Sequence, residues 1–210
     1  MNQFKQWEDR LYPSLIKNIE YIIEKTPING VVYDIGANTG LLSQKVYEQR
    51  PDIKFVLFEP IKRYHEEVIR KFGNNSNFIC LNVALLDENK DLEISIHYEN
   101  LGLNTLSFIS NYGNKETVVG TTLYDCYVNN SLPLPDFIKI DVEHAEHFVI
   151  EGARKLFEIK KPTALLIEIG VMKTSPLWEE EYSMIEYLFS LGYKRFENSY
   201  TEMFDAKFEL

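Results

Sequence analysis

No stretch of the chain approaches the run of about 20 apolar residues that a membrane span needs, and the first ten residues, MNQFKQWEDR, lack the apolar core of a secretory signal. These absences lead to the expectation of a soluble, cytoplasmic protein. Cysteine is scarce. Cys80 and Cys126, in segments that read as strand and helix, support neither a disulfide framework nor a Cys-based zinc site, and both are expected to be reduced core thiols. Positive charge is also short: 22 Lys and Arg face 32 Asp and Glu, a formal net charge of -10, which would repel a nucleic-acid backbone. The one basic concentration, Lys62, Arg63, Arg70 and Lys71, has the spacing of a solvated helix face. Low-complexity segments and internal repeats are missing too.

What remains is an ordinary globular composition, 45% hydrophobic and 13% aromatic over 210 residues, enough for one core and one domain. Phe4, Trp7, Leu11, Leu15, Ile16, Ile19, Ile22 and Ile23 recur at helical intervals, and Pro13 is expected to split the run in two. Residues 1–30 therefore read as a helical flank or lid. From Val31 the chain alternates strand and helix: strands at 31–35, 54–58, 78–81, 137–142 and 163–169, with helices at 41–49, 62–72, 144–157 and 177–191. Between 91 and 121 the pattern changes to the polar-apolar alternation of DLEISIHYEN, read as an inserted hairpin or extra strands. The ending suits YKRF as a strand followed by a last, antiparallel one.

DIGANTG, Asp34 to Gly40, joins a buried strand to a helix. Gly36 lets the backbone turn sharply against a ligand, and Gly40 permits close helix packing. Glu59 ends the second strand in FEP, 19 residues beyond Gly40, the spacing of an acid that bonds ribose hydroxyls, and Pro60 then turns the chain. The G-x-G-x-x-G spacing for a pyrophosphate is missing, because Ala37, Asn38 and Thr39 separate the two glycines. A ligand without pyrophosphate, such as adenosine joined to an amino acid, fits that turn.

Together DIGANTG, FEP, IDVEHAE and EGA at Glu151 to Ala153, in that order between about Val31 and Gly170, resemble the FkbM family of S-adenosylmethionine-dependent methyltransferases. The resemblance implies a Rossmann-like class I methyltransferase fold, with a mostly parallel seven-stranded sheet, helices on both faces and a small inserted β segment. It implies S-adenosylmethionine as cofactor and O-methylation of sugars or natural products, here in polysaccharide or glycoside biosynthesis. Carried over by position, Asp34, Gly36, Ala37, Asn38 and Gly40 line the methionine part, and Glu59 with Pro60 the ribose. Asn82, Val83 and Ala84 would lie by the adenine, although Asn82 also reads as a turn residue.

Ligands of open α/β sheets gather beyond the carboxyl ends of the strands, which places Asp141, Glu143, His144 and Glu168 beside the transferable methyl, with Asp141 also near the cofactor. Methyl transfer depends on alignment and on a base that takes the hydroxyl proton. His144 stands where the family usually has Gly. It reads either as that base or as a solvated helix-start residue, with Asp141 or Glu143 orienting the acceptor. His147, three positions on, shares that face or packs. Asp141, Glu143, His144 and Glu168 also suit a hard cation, but no dedicated ligand spacing is present, and the reading carries no metal.

Tyr98, Asn100, Asn104 and Thr105 read equally as acceptor-binding groups or as hairpin chemistry. Trp7, Tyr12 and Trp178 offer aromatic surfaces for stacking on a sugar, but their helix-like spacing reads as core. The expected acceptor is a small molecule, a sugar or sugar nucleotide, with no nucleic acid or membrane partner and with a homo-oligomer left open. An N- or C-methyltransferase on another small molecule, or a non-catalytic module that binds the cofactor or serves as an interaction protein, are the rival readings.

Overall fold

A computed structural model of the chain describes residues 3–96, 105–106, 114–169, 178–196 and 204–210. Helix α1 (Gln3–Lys25) precedes β1 (Val31–Ile35), α2 (Leu41–Gln49), β2 (Lys54–Phe58), α3 (Lys62–Phe72) and β3 (Phe78–Leu81). Four strands follow: β4 (Ala84–Leu86), β5 (Lys90–Ile96), β6 (Thr105–Leu106) and β7 (Asn114–Thr122). Then come α4 (Leu123–Asn129), β8 (Phe137–Ile140), α5 (Glu146–Ile159), β9 (Ala164–Ile169), α6 (Trp178–Ser190), β10 (Lys194–Phe196) and β11 (Phe204–Glu209).

The main sheet has seven strands in the order β10-β11-β9-β8-β1-β2-β3. Strands β3, β2, β1, β8 and β9 run parallel, and β11 lies antiparallel to both β9 and β10. A parallel sheet covered on both faces has no polar side, and every residue of β1 is buried, Asp34 included. Alternate residues feed two apolar layers. Tyr33, Phe58, Ile140 and Ile167 meet Val149 and Leu156 of α5 and Leu188 of α6. On the other face Val32, Phe55, Phe137 and Leu166 meet Ile19 and Ile22 of α1, Val46 of α2 and Phe72 of α3. A fully buried leucine such as Leu165 contributes enough that truncation to alanine would cost about 2–5 kcal/mol.

The inserted β segment is a second sheet, β4-β7-β5-β6, in which β5 and β7 pair antiparallel and β4 joins β7 parallel. It therefore begins at Ala84, earlier than the alternation at 91 suggests, because Ala84–Leu86 pairs here and does not extend β3. Helix α5 packs on it closely. A Cβ on Gly152 would stand 2.0 Å from the Leu86 carbonyl oxygen, which gives the EGA motif its physical reason.

Two sequence expectations need correction. Pro13 does not divide the first helix, since α1 is continuous with Pro13 inside it. Pro13 is exposed, so water can satisfy the carbonyl that loses its donor, while the opposite face stays packed on both sides of it. The helix expected from His144 begins at Glu146, because Glu143 and His144 adopt left-handed φ values of 56° and 76° and Ala145 is the N-cap. Glu146 then accepts the Val142 N–H at 3.0 Å, closing residues 141–145 into a tight connection. Among the described residues no helix is long and apolar enough to cross a membrane. Cys80 and Cys126 are free, and burial raises both thiols to about 11.

Candidate active site

The strand order reverses at β1, whose neighbours are β2 on one side and β8 on the other, and a crevice opens at such a switch point. Register makes the crevice chemically dense. Ile35 pairs with Phe58 and Ile140, Phe58 with Leu81, and Ile140 with Ile167. The next position along each strand path is therefore Asn82, Glu59, Gly36, Asp141 and Glu168, and Asp205 pairs with Glu168. One row of polar residues crosses the carboxyl edge of the sheet. Asp34 and Lys139, directly paired and two residues earlier on their own strands, point to the same face.

Gly36 and Ala37 turn back to donate to the Phe58 carbonyl at 3.0 and 3.1 Å. Gly36 has φ 75°, and a Cβ there would lie 1.9 Å from the Asp141 carbonyl oxygen, so only glycine fits. Gly40, φ 74°, instead makes room for the Phe72 ring at the start of α2. Glu59 is buried and holds the turn: its carboxylate accepts the Asn38 N–H at 2.7 Å and the Ile61 N–H at 2.9 Å. Burial pushes the Glu59 carboxyl up to about 8. Asp34 accepts from the Ser43 hydroxyl at 2.7 Å.

Lys139 sits between the glycine turn and the acidic end. Its ammonium donates to the Gly36 carbonyl at 2.8 Å and lies 3.3 Å from both Asp34 and Asp141. Burial opposes its charge, but Asp141 and Asp34 outweigh that and raise its pKa. Asp141, Glu143 and Glu168 bring carboxylate oxygens within 4.8 Å of one another. Burial, then the charges on Asp141 and Glu146, push Glu143 up to about 8. Burial and the neighbouring Asp141 push Glu168 up to about 10. A cation could bridge such a trio, and Lys139 already supplies one against Asp141.

These groups line a cavity of about 380 Å³. Phe58, Ile61, Tyr64, Val83, Ala84, Leu85 and Ile94 give it an apolar wall, and Trp7, Leu11, Leu15 and Asn18 of α1 form its roof. A latch holds the roof: buried Glu8 accepts from the Thr39 hydroxyl at 2.7 Å and pairs with Lys71. Lys71 is thus mostly covered, unlike the solvated face expected of it. Arg63 stacks over the Phe4 and Tyr64 rings, and Arg70 pairs with Glu67.

Of the residues singled out from sequence, Asp34, Gly36, Ala37, Asn38, Glu59, Pro60, Val83, Ala84, Asp141, Glu143 and Glu168 border this one cavity. Gly40 and Asn82 stand behind it, Asn82 donating to the Glu59 and Pro60 carbonyls at 2.9 and 2.8 Å as a splint for the turn. His144 is half-buried and does not border the cavity; its left-handed backbone carries the side chain elsewhere, and burial lowers its pKa. His147 lines a separate depression between α5 and α6 with Asp87, Glu151 and Glu180, against the Phe148 ring. Tyr98, Asn100 and Asn104 lie outside the described residues, and Thr105 is described only as backbone of β6. Trp7 faces the cavity where a core position was expected, and Tyr12 is exposed. Lys139, Asn18 and Asp205 were missed. A lysine inside the apolar FIKI of a strand buried on both faces was the available signal.

Residues 34–195 match the model of the methyltransferase FkbM domain. The chain belongs to the FkbM methyltransferase family. This FkbM-family protein is an S-adenosylmethionine-dependent methyltransferase. Its fold is shared by a putative rRNA-methylase from Clostridium thermocellum, 10% identical with a TM-score of 0.54 over 93% of this chain and 94% of that one. Fibrillarin from Aeropyrum pernix, solved with bound S-adenosyl-L-methionine, is 11% identical with a TM-score of 0.51 over 87% of this chain and 66% of that one. An O-methyltransferase family protein from Burkholderia thailandensis is 12% identical with a TM-score of 0.52, over 97% of this chain and 58% of that one. At such identities the likeness concerns the fold. Among curated proteins none matches the sequence.

The residues present fit the cofactor. Gly36 leaves open the space that a side chain would fill, and each Glu59 oxygen, bonded to one backbone N–H, keeps a lone pair for a ribose hydroxyl. Among the described residues that line the cavity, Lys139 is the only cation beside the carboxyl groups of Asp34, Glu59, Asp141, Glu143, Glu168 and Asp205, which offer acceptors to a ligand carrying an ammonium group.

Proposed function

We propose that this protein methylates a hydroxyl of a saccharide or sugar-nucleotide acceptor, in polysaccharide or glycoside biosynthesis. The observation that supports this reading is the trio Asp141, Glu143 and Glu168, gathered within 4.8 Å in the same cavity as Glu59 and the glycine turn. Glu59 and Glu168 end strands three places apart in the sheet, about 14 Å at the usual strand spacing. That is room for an adenosyl group at one end and an acceptor hydroxyl at the other.

When bound, the cofactor supplies a methyl carbon on a positively charged sulfur, and the C–S electron pair leaves with the sulfur as the new C–O bond forms. The protein's part is alignment and removal of the hydroxyl proton. Glu143 accepts that proton; a carboxyl with its pKa near 8 is a stronger base than a solvated one and still ionises near neutral pH. Glu168, protonated at neutral pH, hydrogen-bonds Asp141 and leaves Asp141 to accept from a second acceptor hydroxyl. The acidic lining favours acceptors that keep any phosphate outside the cavity.

The same acidic end suits an ammonium-bearing acceptor, which makes an amine nitrogen the second reading. Incubation with methyl-labelled cofactor and a panel of neutral sugars, aminosugars and sugar nucleotides, followed by product analysis, separates the two. An O-methyl sugar is the expected product, and labelling confined to nitrogen would overturn the hydroxyl assignment.

A further inference from the structure

Lys139 is the one cation among the described residues that line the cavity, and neither binding of the cofactor nor capture of the proton uses it directly. It occupies a central place nonetheless. It comes from β8, opposite Asp34 of β1 in register, and it touches the glycine turn through the Gly36 carbonyl, β1 through Asp34, and the acidic connection through Asp141. Lys139 as a whole is 7% exposed. Burying a lysine is costly unless its charge is compensated and its protons are bonded, and an apolar residue at this strand position would pack without that cost. The position therefore needs a charge.

We propose that Lys139 is a positioning residue for methyl transfer: its ammonium ties the glycine turn to the segment 141–143 and supplies the fixed positive charge that counterbalances Asp34 and Asp141. The inference rests on the reading of Glu143 as proton acceptor. Two consequences follow from electrostatics. The carbonyl of Gly36 and the carboxylate of Asp141 share one donor, so the cofactor turn and the acceptor end cannot drift apart independently. Burial, then the charges on Asp141 and Glu146, raise the Glu143 pKa, and the Lys139 charge lowers it.

The other titratable groups around this point are Glu59 just after β2, Glu168 from β9 and Asp205 from β11, all of them carboxyls. Glu181 on α6 adds to the field at Glu146. No second cation is positioned there among the described residues that line the cavity. Removal of the lysine charge should therefore move Glu143 to higher pKa, with no other cation among the described lining residues to compensate.

The test compares Lys139→Gln, which keeps an N–H donor but loses the charge, with Lys139→Arg, which keeps the charge. Side-chain carboxyl carbons are followed by NMR against pH in the ligand-free proteins, and turnover against pH is measured in parallel. The expected result for Lys139→Gln is a higher Glu143 midpoint, with the acid limb of turnover moving by the same amount. Lys139→Arg should keep both near their wild-type positions. An unmoved midpoint in folded Lys139→Gln overturns the proposal. If Lys139→Gln does not fold, Lys139→Arg decides: a wild-type midpoint sustains the proposal and a displaced one overturns it. The base assignment fails separately, if the wild-type acid limb survives in Glu143→Gln, and in that case the NMR midpoints still judge Lys139.

Discussion

The two ends of the cavity hold their carboxylates in opposite ways. At the glycine-turn end each one has donors: Glu59 takes two backbone N–H groups, and Asp34 takes the Ser43 hydroxyl beside Lys139. At the β8–β9 end Asp141, Glu143 and Glu168 face one another, with Lys139 as their cation. Donors fix a geometry before a ligand arrives, whereas neighbouring acids raise one another's pKa beyond what burial does. On the proposed reading, the first end binds the cofactor and the second exchanges a proton.

Breaking the binding end should have the largest effect. Glu59→Ala removes a buried acceptor for two N–H groups and the ribose, and affinity for S-adenosylhomocysteine by calorimetry is expected to fall more than about 100-fold. Retained affinity would show that Glu59 only braces the turn. Glu143→Gln should leave that affinity within a few-fold while lowering turnover by about 10²-fold or more. In the wild type, turnover should rise with pH through about 8 as Glu143 loses its proton. A rate that falls over that interval would contradict the role.

A smaller effect sharpens the roof. Glu8→Gln weakens the latch to Lys71 and Thr39, and stopped-flow measurement should find S-adenosylhomocysteine leaving about tenfold faster. Stability offers a further check. Glu146 is buried, with one oxygen lacking a hydrogen-bond partner and its pKa raised by burial to about 8. The folded state therefore binds a proton that the unfolded chain has lost above about 4.5, so its contribution is full at low pH and is lost between about 4.5 and 8. Melting temperature should fall across that window, and less in Glu146→Gln. Least affected should be His144→Ala, with turnover changed by less than about threefold, since the ring does not border the cavity.

Much of the binding end was legible in the sequence, because local rules govern it. A glycine at the end of a buried strand and an acid at the end of the next have few other uses in such a fold, and both Gly36 and Glu59 border the cavity. The proton-handling end was harder to read. His144 drew attention through its ordinary pKa, but two consecutive left-handed residues decide where it goes, and sequence spacing does not reveal them. Lys139 was overlooked because an apolar strand suggests only packing, and its partner Asp34 lies more than a hundred residues earlier. The roof of Trp7 and Glu8 depends on the docking of α1, and Pro13 suggested a break that a solvent-facing position made unnecessary.

A crystal structure with S-adenosylhomocysteine bound tests the two-ended cavity most directly. The expected complex has ribose hydroxyls on the Glu59 carboxylate, the amino-acid tail along the glycine turn, and the sulfur facing the open space before Glu143. Adenosine found against Glu168, or a ligand bound outside this crevice, would contradict it.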